Sequence, residues 1–171
     1  MRRFLPALLV VGLAPAAMAA TGQNFGTHLT GAEEVPVRET LAQGQATFQL
    51  SEDETELAYK VNVANIHNVV ASHIHLAPAG VNGGVVAFLA GNFPAGGGPS
   101  NGVLAQGTIT AGDLIGPLAG QPLSSLIDAM RAGNTYVNVH TNDGVDPTNE
   151  GPGDFPGGEI RGQIEARGPK A

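Results

Sequence analysis

The sequence of 171 residues contains no cysteine and no tryptophan, and aromatic residues make up only 5% of it. Without cysteine the fold has no disulfide, and a metal site has to use histidine, aspartate or glutamate instead of thiolate. Basic residues are also scarce, because eight Lys and Arg stand against fifteen Asp and Glu, with a formal net charge of −7. A balance this acidic argues against nucleic acid as a partner.

Long hydrophobic runs are absent except at the N-terminus. Residues 1–20 begin with two arginines after the initial methionine, continue with an apolar run and end with small residues. These features are typical of a secretory signal peptide, and the run is shorter than the roughly 20 residues that cross a bilayer. We therefore expect cleavage near Ala19 or Ala20 and one domain over residues 21–171, periplasmic or secreted and not membrane-bound. An uncleaved N-terminal helix is the alternative.

Glycine and proline are frequent, at 25 and 12 residues, and they separate short segments in which apolar and polar residues alternate. Such segments predict β-strands. The predicted strands are residues 24–29, 45–50, 57–63, 70–76, 85–89, 103–109, 134–140 and 159–166, with a turn at 65–68. Pro122–Ala132 is the predicted helix, because its apolar residues recur at helical spacing and Gly133 follows it. The fold class is all-β, a Greek-key or immunoglobulin-like sandwich of about seven to eight strands with one short helix.

The most informative stretch is Ser72-His73-Ile74-His75. Alternate residues of a strand face the same side, so His73 and His75 point one way while Ile74 points towards a core. Side chains two residues apart on a strand are about 7 Å apart, close enough to converge on one ion. Since His140 ends a second alternating strand, we expect the two strands to lie side by side and to share one metal.

Imidazole ligands without thiolate favour copper or zinc over calcium or magnesium. We predict one copper or zinc ion per chain at His73, His75 and His140. His28 or His67 is the candidate fourth ligand, and His28 is preferred because it lies on the polar face of a predicted strand instead of in a turn. Purely structural histidines are the alternative. The acidic loop over 143–154 is a weaker calcium candidate, since it lacks the EF-hand ligand spacing.

Arg161 lies on the last predicted strand and shares a face with Glu159. One interpretation is an exposed ion pair between these two residues, which contributes little to stability. The other places Arg161 beside the metal, where its charge attracts an anion. No nucleophile elbow and no phosphate-binding loop occur in the sequence, so hydrolase chemistry has no support.

Four stretches of the sequence resemble the CHRD (chordin-type) domain family. They are Leu29–Pro36, Ser72–His75 with Gly80, Asn82 and Gly83, Tyr136–Thr141, and Gly157–Ile164. Together they extend over residues 24–166. The resemblance implies a secreted β-sandwich and does not by itself imply a particular activity.

The order of the histidine motifs is also similar to copper-zinc superoxide dismutase. By that resemblance His73, His75 and His140 are copper ligands, and Arg161 guides superoxide to the ion. The bridging histidine of that family would fall between Leu76 and Val139, where this chain has none. The zinc loop and the disulfide are also missing, so the resemblance implies a site with copper alone.

Three functions follow from these observations. The first is a copper-only superoxide dismutase, with superoxide or another small anion as its partner. The second is a copper-binding or copper-delivery protein of the cell envelope without turnover, and the third is a metal-free extracellular interaction module. Removal of the signal peptide would leave a net charge of about −9, which counts against long-range attraction of an anion. The sequence leaves open whether the chain forms a homo-oligomer.

Overall fold

A computed structural model describes residues 23–168 and shows nine β-strands and one α-helix in that range. The strands are β1 Asn24–Thr30, β2 Gln43–Leu50, β3 Leu57–His67, β4 Val69–Leu76, β5 Gly84–Ala90, β6 Pro99–Ile109, β7 Thr135–Thr141, β8 Ile160–Gln163 and β9 Glu165–Arg167; the helix is α1 Leu123–Arg131. The predicted all-β class with one short helix is confirmed. The predicted signal peptide lies outside the described residues.

All nine strands form one sheet with the order β5-β4-β7-β8-β1-β2-β3-β6, and β9 pairs with β1. The strand pairs are antiparallel, and the predicted hairpin of β2 and β3 is among them. The sheet curls around an apolar core, and a hydrogen bond from Tyr59 Oη to the Leu89 carbonyl (2.8 Å) connects β3 to β5 across the molecule. The two ends of the strand order are thereby brought together.

Several predicted boundaries differ from the structure; β6, for example, begins at Pro99 and not at residue 103. The turn expected at 65–68 is largely strand, because β3 continues to His67 through a bulge and buries Ile66 completely. The last predicted strand is divided at Ile164, where the backbone N–H bonds to the Thr135 carbonyl. β8 therefore pairs with β7 and β1, whereas β9 pairs with β1 alone.

Helix α1 packs on the core through its predicted apolar stripe. The stripe consists of Leu123, Leu126, Ile127 and Met130, all of which are buried. Pro122 precedes the first helical residue, a position where its fixed φ favours helix initiation and its missing N–H costs nothing. No helix within the described range is long and apolar enough to cross a membrane.

The strands β4, β7 and β8 have two buried faces of opposite chemistry. The inner face carries Ile74, Val137, Val139 and Ile160, each fully buried in the core. The outer face carries His75, Tyr136, Asn138, Glu159 and Arg161, which are also buried, because loops of the chain cover this part of the sheet. These five residues, together with Glu34, are called the polar layer below. This layer holds the candidate site.

Candidate metal centre

His73, His75 and His140 lie together on the outer face, because β4 and β7 are neighbours in the sheet. Each residue offers one ring nitrogen, and the three nitrogens lie within 4.8 Å of one another. An ion that binds two imidazole nitrogens at about 2.1 Å in tetrahedral geometry holds them about 3.4 Å apart. The most widely separated nitrogens therefore need to approach by up to about 1.4 Å to bind the same ion.

Backbone carbonyls orient two of the three imidazoles. Nδ1 of His75 lies 3.0 Å from the Gly83 carbonyl, and Nδ1 of His140 lies 2.8 Å from the Pro156 carbonyl. A carbonyl oxygen only accepts hydrogen bonds, so each Nδ1 carries the proton and each Nε2 is the unprotonated nitrogen, whose lone pair can accept a hydrogen bond or bind a metal. Such carbonyl contacts are the usual outer support of metal-binding histidines.

Nε2 of His75 is buried and has no hydrogen-bond partner among residues 23–168. A buried polar atom without a partner costs about 1–3 kcal/mol. The third ring is close by, since Nδ1 of His73 lies 3.0 Å from Nε2 of His140. A metal ion between the rings would supply the missing partner, and this orphaned nitrogen is the observation that fits the cluster to a metal.

Burial keeps the three imidazoles neutral. It lowers the pKa of His73 to about 4, with further lowering from His140 and His75. The pKa of His75 is lowered by burial and by the Arg161 charge, against the opposing bond to Gly83. Burial also lowers the pKa of His140. Only neutral imidazole binds metal, so the site stays competent well below the usual histidine range.

Arg161 is enclosed instead of exposed, at 1% exposure. Its guanidinium lies over the Tyr136 ring, 3.4 Å from the centroid, and donates to Asn82 Oδ1 and the carbonyls of Val81 and Pro78. The Tyr136 ring in turn stacks on His75 at 4.8 Å. The structure thus gives Arg161 a supporting position behind His75 and does not place its charge on an exposed approach to the cluster.

The interpretation of Glu159 and Arg161 as an exposed ion pair is wrong, because both side chains are buried. The Glu159 carboxylate accepts hydrogen bonds from the hydroxyls of Thr40 and Thr141 and from the Gly153 N–H. These bonds attach two covering loops to the sheet. Glu159 is therefore an anchor of the polar layer.

The structure does not bring His28 or His67 to the cluster. His28 is exposed on β1 opposite Gln45, and His67 is exposed at the end of β3. Two strand spacings separate β1 from β7, or roughly 10 Å, which is too far for a shared ligand set. The preferred fourth ligand, His28, is thus not supported by the fold. Residues 143–150 of the acidic loop are exposed.

Sequence periodicity missed the polar layer around the histidines. Glu34 is only 4% exposed and accepts a hydrogen bond from Asn138 Nδ2 at 3.0 Å. Asn82 donates to the Val35 carbonyl and accepts from Arg161, so it connects two loops to the sheet. Each of these polar residues lies in one of the four stretches that carry the family resemblance, which was the available signal for finding them.

Burial raises the pKa of Glu34 to about 7, against opposing effects of the Arg161 charge, the Val35 backbone bond and the Arg38 charge. Gly158 adjoins this carboxyl with a φ of 129°, a conformation that other residues rarely adopt. A Cβ at Gly158 would also collide with Asn138 and Glu34. The glycine therefore permits the close approach of the 153–158 loop to the polar layer.

Comparison with known families and structures gives one match. A sequence model of the CHRD domain matches residues 25–164, which include the three histidines and the whole polar layer. No curated protein and no solved structure matches the chain.

Proposed function

The chain belongs to the CHRD domain family, and we propose that it is an exported copper-binding protein whose centre consists of His73, His75 and His140. CHRD domains are found in secreted proteins, which agrees with the signal peptide predicted over residues 1–20. The single observation that carries the proposal is the buried, unpartnered Nε2 of His75 beside two further neutral imidazoles.

The donor set decides the choice of metal. Three imidazoles with no thiolate and no carboxylate in the group suit copper or zinc, and copper has the higher intrinsic affinity for nitrogen ligands of this kind. Three protein ligands also leave coordination positions for water or a small anion. Copper is therefore the proposed ion, one per chain, and zinc ranks second.

Superoxide dismutation is the activity proposed for this centre. When bound, copper supplies one-electron redox chemistry, which can convert two superoxide ions and two protons into dioxygen and hydrogen peroxide. The chain contributes by holding the histidine rings in the orientation and tautomer that bind the metal. The carbonyls of Gly83 and Pro156 hold two rings in the ligand tautomer, and Tyr136 and Arg161 support His75 from behind.

A second candidate is copper binding or delivery without turnover. The burial of Arg161 favours it, because the positive charge expected to guide superoxide is not at the surface. The net charge of −7 also opposes attraction of an anion. This candidate needs the same three ligands and differs only in the absence of catalysis.

The test is metal content after copper loading, followed by a superoxide assay on the same sample of mature protein. We expect one copper per chain, and we expect His75→Ala to weaken copper binding by more than about a hundredfold. His67→Ala is the matched control, since His67 is exposed and outside the cluster. Copper without turnover would assign the protein to binding or delivery. Absence of bound metal would leave the metal-free interaction module.

A further inference from the structure

The pairing of β4 with β5 is irregular where it passes the histidines. Ser72 pairs with Ala90, but the next residue, His73, pairs with Phe88. Leu89 is therefore an inserted residue, and a second shift between Ile74 and His75 likewise inserts Val86. Both inserted residues are buried. In this two-step bulge Phe88 pairs with His73 and therefore shares the face of the histidines, since a shift of one residue moves side chains to the other face.

The bulge places the Phe88 ring on the histidine side of the sheet. The ring centroids of Phe88 and His73 are 4.6 Å apart, and the rings meet edge to face at 87°. Phe88 is 53% exposed, whereas Tyr136, the other non-histidine ring in contact with the cluster, is 2% exposed. One aromatic ring is thus buried against His75, and the other lies beside His73 at the protein surface.

β5 is also an end of the strand order, with no further strand beyond it among the described residues. Large exposed apolar side chains on such a strand favour aggregation with other chains, so their presence calls for a functional reason. A single exposed phenylalanine would need no explanation, but this one is in ring contact with a candidate metal ligand and is brought there by a bulge. Bulges next to functional sites commonly redirect a side chain in this way.

We propose that Phe88 controls access to the three-histidine centre, by narrowing the approach beside His73 so that small ligands enter and bulky ones are hindered. This inference rests on the proposed copper centre for its biological meaning. The ligand class that follows is a small anion or neutral molecule of two or three heavy atoms. The same ring slows the exchange of metal with large chelators.

The test compares Phe88→Ala with the wild-type protein after copper loading. We expect EDTA to remove copper about 2–10-fold faster from the variant, because the chelator no longer has to pass the ring beside His73. The affinity for azide, followed by its absorption change on the copper protein, should change by less than about twofold, because a triatomic ion already passes the ring. Phe88→Trp should slow removal by EDTA.

Phe93→Ala is the matched control. Phe93 is 42% exposed in the loop after β5, and its substitution should leave both measurements unchanged.

A second readout needs no metal. Diethyl pyrocarbonate should modify His73 faster in apo Phe88→Ala than in the apo wild-type protein, as measured by mass spectrometry. If the wild-type protein binds copper but both rates are unaltered in the variant, the access role is wrong. If no copper binds, the proposed function fails, and the modification rate still decides whether Phe88 shields His73. Phe88→Leu replaces the alanine variant if that one does not fold.

Discussion

Both faces of strands β4, β7 and β8 carry buried side chains, but the two faces are built on different principles. On the inner face Ile74, Val137 and Ile160 are fully buried among apolar side chains. On the outer face Asn138 and Arg161 are 2% and 1% exposed, yet almost every contact there is polar. Burial by itself therefore does not distinguish a core from a site.

The two faces differ in how many interactions a single substitution removes. An apolar face is stabilised in proportion to buried area, so a conservative change loses only part of the energy. In the polar layer most groups are hydrogen-bonded to another group, and removing one leaves a buried donor or acceptor unsatisfied. The layer costs desolvation that an apolar face would avoid, and two of its atoms, His75 Nε2 and Asn138 Oδ1, have no partner among the described residues.

The largest effect is expected for Arg161→Ala. This change leaves Asn82 Oδ1 and the carbonyls of Val81 and Pro78 without their donor and uncovers Tyr136. We expect the free energy of unfolding to fall by about 3 kcal/mol, measured by urea denaturation. Arg131→Ala, which breaks exposed ion pairs, should cost less than about 1 kcal/mol. Equal losses in the two variants would mean that the buried contacts of Arg161 contribute no more to stability than exposed ion pairs, which would contradict the role given to the polar layer.

A smaller, pH-dependent effect is expected for Glu34→Gln. The folded pKa of about 7 exceeds the ordinary 4.5, so the folded state binds the proton more tightly and wild-type stability rises as the pH falls from 7 to 4.5. The glutamine variant lacks this dependence. It should be more stable than wild type by about 1–3 kcal/mol at pH 8, with the advantage lost below pH 4.5. The stability difference between Ile74→Val, on the inner face, and wild type should not change with pH. A pH-independent difference between Glu34→Gln and wild type would refute the raised pKa of Glu34.

The smallest effect on stability is expected for His75→Phe, although it should abolish copper binding. Phenylalanine keeps the stacking on Tyr136 and removes the orphaned Nε2, at the loss of the bond to the Gly83 carbonyl. These contributions oppose each other, so the apo protein should change by less than about 1 kcal/mol. Ile74→Val, one residue away, should cost about 0.5–1.5 kcal/mol and keep copper. Thermal unfolding and metal analysis of both variants measure the two effects.

Much of the fold was predictable because alternation reports directly on which face of a strand is buried. The strands around Phe48, Val61 and Val137 were all expected, and each of these side chains lies in the core. The end of β3 was not predicted, since the polar residues Asn65, His67 and Asn68 look like a turn although Ile66 returns to the core. Strand length past a bulge depends on neighbouring strands, and local sequence carries little of that information.

The candidate site was predictable only in part. His73 and His75 share a face by strand geometry alone, and His140 could be proposed as their partner because a similar strand ends with it. Phe88 could not be identified, because strict alternation does not reveal that Leu89 is inserted in a bulge. The enclosed position of Arg161 was also unforeseen, since nothing in the sequence of β8 shows that residues 78–82 cover it.

Three properties of this protein follow from its residues alone: which positions alternate, the exclusion of thiolate chemistry, and the placement of two histidines on one face of a strand. Those properties depend on residue type and on the two-residue period of the strand, which are local. The approach of His140 to the pair, the exclusion of His28 and the support of His75 by Arg161 arise instead from the packing of distant segments. These outcomes depend on strand order, which is set by how the whole apolar surface is best buried and not by any one segment.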